Sequence, residues 1–103
     1  MQNYTRRQLA EIIRSNRRIS VCGAGYRFFM RYTTVRAAWL VCTHPGWMNV
    51  LLKFVLWDHM TAEEQASVDS ALASTGITER SNYVDELKAA QLRNALPDFF
   101  GTE

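Results

Sequence analysis

Residues 44–60, HPGWMNVLLKFVLWDHM, are the most apolar part of the chain, and their reading decides the fold. Between Trp47 and Trp57 only Asn49 and Lys53 interrupt the apolar residues. On a helical wheel at about 100° per residue that leaves a narrow polar notch and apolar surface nearly all round. A surface helix carries one apolar stripe, so this spacing predicts a helix from Pro45 to about His59 that is buried on several sides. Pro45 suits the first helical position, where its missing N–H costs nothing. Thr61-Ala62-Glu63-Glu64 is a capping box that ends this helix and opens another.

Working outward, the helix after Thr61 runs to about Ser74. Its small residues Ala62, Ala66, Ala71 and Ala73 suit close approach to a bulky neighbour, and Gly76 supplies its C-terminal cap. Ser81 is placed to cap a last helix from Asn82 to about Leu96, with Tyr83, Val84, Leu87 and Ala90 on one side and Pro97 as its stop. Upstream, Thr34 caps a helix that must end before Pro45. Thr5 and Gln8 form the capping box of a first helix reaching about Asn16, with Leu9, Ile12 and Ile13 as its apolar edge. Residues 17–34, RRISVCGAGYRFFMRYTT, admit two templates. One is a β-hairpin over about 18–33, with strands Ile19–Cys22 and Tyr26–Thr33 joined by Gly23-Ala24-Gly25. The other is a helix from near Gly25. Aromatic and β-branched content favours the strand and periodicity permits the helix; we favour the hairpin. The expected fold is mainly α, or α+β if the hairpin forms: a single globular domain spanning residues 1–103, a small helical bundle around the buried helix 45–59.

A chain of 103 residues with 48% hydrophobic and 21% charged residues can bury one core. The cluster Leu9 to Ile13 is short and broken by Glu11, unlike a cleavable leader, and two cysteines, Cys22 and Cys42, then read as free thiols in a reducing, cytoplasmic setting. Residues 37–57 contain His44, Pro45, Gly46, Asn49 and Lys53, which argues for core over membrane. The net charge of +2 conceals an uneven distribution. Residues 1–36 carry eight arginines against Glu11 alone, a net +7, and residues 37–103 carry four bases against nine acids, a net −5.

No motif names a reaction. Gly23-Ala24-Gly25 lacks the further glycine or the Gly-Lys-Ser/Thr of nucleotide-binding loops. Cys22, Cys42, His44 and His59 have metal-ligating atoms without metal-site spacing, and a Cys/His nucleophile pair has no local signature here. No enzymatic activity, cofactor or metal is expected. The arginines carry more information, because the guanidinium fork matches carboxylates and phosphates. The leading expectation is an interaction or inhibitor protein that binds an acidic protein surface through Arg6, Arg7, Arg14, Arg17, Arg18, Tyr26, Arg27, Phe28 and Arg31. Its small size suits an accessory protein of the kind a mobile element or phage encodes. The alternative is a DNA- or RNA-binding regulator that uses the same arginines on phosphates, with Tyr26, Phe28 or Tyr32 stacking on bases. A third class is a homodimer joined through Leu52, Leu56 and Trp57. A bland reading has the arginines paired internally with Glu63, Glu64, Asp69, Asp85 or Glu86.

Overall fold

A computed structural model describes residues 1–16 and 21–101. The fold is mainly α. In chain order the helices are α1 (Arg6–Ser15), α2 (Gly23–Met30), α3 (Val35–Val41), α4 (Pro45–Val50), α5 (Ala62–Thr75) and α6 (Glu86–Ala95). They fill a volume of about 31 × 29 × 28 Å. Most are too short to persist alone, so their ends and their packing hold them. Thr5 and Gln8 exchange bonds at 2.9 and 3.1 Å, and Thr61 and Glu64 do so at 2.8 and 3.1 Å. Thr34 Oγ1 accepts the Ala37 N–H at 3.2 Å. Pro45 opens α4, with the His44 ring as its cap. Gly76 ends α5 at φ +70°, a left-handed conformation that glycine adopts without strain.

The favoured hairpin is not what forms. Its turn and the first five residues of its second strand, Tyr26 to Met30, lie in α2, capped by Cys22 Sγ, which accepts the Gly25 N–H at 3.3 Å. Its opening residues, Arg18 to Ser20, lie outside the described residues. A two-stranded ribbon leaves half of its backbone groups without partners, whereas a helix satisfies its own and turns Gly25 and Phe29 inward together. The one strand-like pairing among the described residues is an isolated bridge between Thr5 and Thr34. There Arg6 N–H donates to the Thr33 carbonyl at 3.1 Å and Val35 N–H to the Tyr4 carbonyl at 2.8 Å, which joins the start of α1 to the start of α3.

The central segment is buried as its composition requires, but it is not one continuous α-helix. After α4 a π-helical turn spans Leu51–Val55, closed by the Leu56 N–H on the Leu51 carbonyl at 2.9 Å, and a 3-10 turn follows at Trp57–His59. Asn49, read as part of the polar notch, is buried, and the outward stripe is instead Lys53, Phe54 and Trp57. Leu52 and Leu56 have no exposed surface at all, which removes them as a contact for a second copy. Trp57 is half-buried beneath Lys53 Nζ, 3.9 Å from the ring centroid.

The last helix also begins later than its sequence suggests. Asp85, not Ser81, is the cap and accepts the Lys88 N–H at 2.9 Å. Ser81 is buried, its Oγ accepting the Thr78 N–H at 3.1 Å. Tyr83, Val84 and Leu87, expected on an apolar side, are exposed, Leu87 by 71%. The segment holding Ser81 is tied down by α4 instead. Asp85 N–H donates to the Thr43 carbonyl at 2.9 Å, and a Cβ placed on Gly46 would lie only 2.5 Å from the Ser81 carbonyl oxygen. Backbone cannot rotate away as a side chain can. Gly46→Ala should therefore cost about 1–3 kcal/mol in urea unfolding, while Leu87→Ala, at an exposed site, should change stability by no more than about 0.5 kcal/mol.

Candidate functional site

The first two helices and their ends carry most of the described arginines. Arg6, Arg7 and Arg14 lie on the exposed face of α1, Arg27 is exposed on α2, and Arg31 caps its C-terminus. Arg27 and Arg31 are four residues apart and share a face. The two helices meet where Arg6 Nη1 donates to the Met30 carbonyl at 3.4 Å. Arg17 and Arg18 lie outside the described residues.

Three of the acidic residues that the internal reading would use, Glu64, Asp69 and Asp85, are engaged elsewhere. Glu64 accepts the Thr61 N–H and pairs with the Met1 α-ammonium at 2.9 Å; those contacts, the Thr61 bond first, hold its carboxyl below the usual range. Asp69 pairs with Lys53 at 2.7 Å, and Asp85 caps α6. Arg14 pairs with Glu11 on its own helix at 3.1 Å, with both side chains largely exposed. Arg7, Arg27 and Arg31 have no carboxylate partner among the described residues. Arg36 is different: half-buried, it donates from Nε to the Gly101 carbonyl at 2.9 Å.

The aromatic residues assigned to this surface are less available. Phe28 is half-buried, with ring centroids 5.3 Å from Phe29, 5.3 Å from Tyr32 and 5.6 Å from Trp47. Tyr26 is half-buried beside a cavity of about 220 Å³ that the sequence did not announce. Leu9 and Ile13 of α1, Phe29 and Met30 of α2, and Trp47 and Val50 of α4 form its apolar walls. Four separated parts of the chain contribute, so no local pattern could have revealed it.

Two further groups are chemically notable. Cys42 is fully buried, its Sγ 3.6 Å from the His44 carbonyl oxygen, and burial pushes the thiol pKa up. The His44 ring stacks on Trp47, with centroids 4.1 Å apart and planes 5° from parallel, and its Nδ1 accepts the Trp47 N–H at 3.3 Å. That bond requires the neutral tautomer with its proton on Nε2. The ring's acceptor nitrogen is therefore spent on capping α4 and is not free to act as a base. His59 is exposed in a T-shaped arrangement with Tyr4, ring centroids 6.3 Å apart, and Cys22 is exposed at the start of α2. Among the described residues no group of three or more His, Cys, Asp or Glu side chains gathers as a metal site would require, and no helix is long and apolar enough to cross a membrane. No protein-family model, no curated protein and no solved structure matches the chain.

Burial lowers the His44 pKa. Unfolded chains therefore bind the extra proton first as pH falls below the ordinary histidine value of about 6.5, and stability declines through that window. Protonation also removes the acceptor that caps α4. His44→Asn keeps a capping oxygen and removes the titration. Urea midpoints at pH 7.5 and pH 5 should differ less for His44→Asn than for the parent, a comparison in which all other titrating groups are shared.

Proposed function

We propose that the protein is a non-enzymatic interaction protein of a reducing, cytoplasmic environment that binds an acidic protein surface through the arginine face of α1 and α2. One observation supports this most: Arg7, Arg27 and Arg31 are exposed without a carboxylate partner among the described residues, beside Arg6. An uncompensated group of guanidinium forks costs little while hydrated and gains charge-assisted, two-pronged bonds when carboxylates approach. Arginine is also among the residues enriched at protein interfaces. An inhibitory or accessory role suits a surface that grips without chemistry.

Phosphates would satisfy the same arginines, but the engagement of Phe28 with Phe29, Tyr32 and Trp47 favours the protein reading. Stacking on bases needs aromatic faces that are free. The test is capture of an acidic protein from cell extract by the immobilised chain, before and after nuclease treatment. Arg27→Ala/Arg31→Ala should fold normally, since both side chains are exposed, and should lose the captured protein by at least about tenfold as carboxylate contacts disappear. Nuclease-sensitive capture, or retention of duplex or single-stranded nucleic acid by the purified chain that falls steeply with salt, would replace this reading with nucleic-acid binding.

A further inference from the structure

We propose that the cavity between α1, α2 and α4 binds a small apolar amine, a protonated monoamine whose body is a single aromatic ring or a chain of similar bulk. This goes beyond the reading above, because none of the described arginines lines the cavity. Size sets the body of the ligand. An apolar cavity of roughly 150 Å³ takes up benzene, and this one measures about 220 Å³. Leu9, Phe29, Leu51 and Val55 are its buried walls, and the half-buried rings of Tyr26 and Trp47 add to them. Leu51 and Val55 are also the two ends of the π-helical turn, a rare element found frequently at functional sites.

Charge selects the head group. Glu79 is the one charged residue among the described residues of the lining. It is exposed, as are Cys22 and Asn82, and these three mark the mouth. Among the described residues no cation pairs with the Glu79 carboxylate. An ammonium group at the mouth meets that carboxylate and the Asn82 side-chain carbonyl, both acceptors, while its body enters the apolar walls. Ring faces such as those of Tyr26 and Trp47 attract cations as well as apolar carbon. A carboxylate or phosphate ligand would meet Glu79 as a like charge, and a neutral ligand would leave it unused. The loop that carries Glu79 and Asn82 is also held in place. Ser81 within it is buried, its Oγ accepts the Thr78 N–H at 3.1 Å, and its carbonyl oxygen lies against Gly46. Beyond Asn82 the Asp85 N–H donates to the Thr43 carbonyl at 2.9 Å. Backbone fixed before the ligand arrives lowers the ordering cost of binding.

The probes are phenethylamine, the neutral phenethyl alcohol, the anionic hydrocinnamate, and ethylamine, which keeps the head group without the ring. Each is titrated near neutral pH into the nitrogen-15-labelled chain and followed by NMR. Of the three tryptophans only Trp47 lines the cavity, so its indole N–H signal reports occupancy, with Trp39 and Trp57 as internal controls. Phenethylamine should shift the Trp47 signal to saturation with a dissociation constant of about 1 mM or below. It should bind at least about threefold more tightly than the alcohol or the acid, and ethylamine should leave the signal in place. Glu79→Gln, at an exposed position, should bring the amine to the level of the alcohol and leave the alcohol unchanged. Arg27→Ala/Arg31→Ala should alter none of these titrations, which keeps failure of this site distinct from failure of the arginine surface. Alcohol binding as tight as amine binding, tighter binding of the acid, or an amine preference that survives Glu79→Gln overturns the inference. Equal shifts of all three tryptophans, or no shift of Trp47 with about 10 mM amine, removes the cavity as a site.

Discussion

The enclosure of Leu52 and Leu56 on all sides is the condition that the rest of the chain satisfies. Each buried leucine contributes about 1.5–3 kcal/mol relative to an exposed one, but only if other elements cover it. The covering pieces are helices of seven to fourteen residues, most of which have little stability of their own. They hold because nearly every end has a cap and because Leu9, Phe29, Val35, Trp39, Val68 and Leu92 join the central segment in one buried cluster. Cooperation is built in, since neither the segment nor its cover is stable without the other.

Local chemistry was legible in the sequence, and long-range chemistry was not. Thr5, Thr34, Pro45, Thr61 and Gly76 act within three or four residues of themselves, and each marks an element end. Ser81 fails for an instructive reason. It has the side chain of a cap, but the backbone around it is committed to Gly46 and Thr43, forty residues away, so the helix waits for Asp85. The segment around Gly25 fails in a related way: its composition suits a strand, but a strand needs a neighbour that the fold does not provide. The wide turn at Leu51–Val55 left no trace in the pattern of apolar residues.

The candidate site divides along the same line. Which arginines of α1 face water follows from the helical spacing of Leu9 and Ile13, whereas Arg27 and Arg31 lie in the segment whose composition suggested a hairpin. That Glu64 and Asp69 are held by Met1 and Lys53, and that Phe28 is drawn into a ring cluster, depends on contacts between distant segments. The exposed arginines and the residues of the core are thus largely separate sets. Exposed arginines can be exchanged without disturbing the core.

The two thiols divide the molecule into an outside and an inside. Cys22 is open to solvent at the mouth of a helix, while Cys42 is sealed beneath α6, where Arg93 Nη1 bonds the carbonyls of Trp39 and Cys42. A thiol reagent therefore meets one site on the native protein and a second only after the contact between α3 and α6 opens. The slower labelling rate reports that opening, read without a dye or an engineered label.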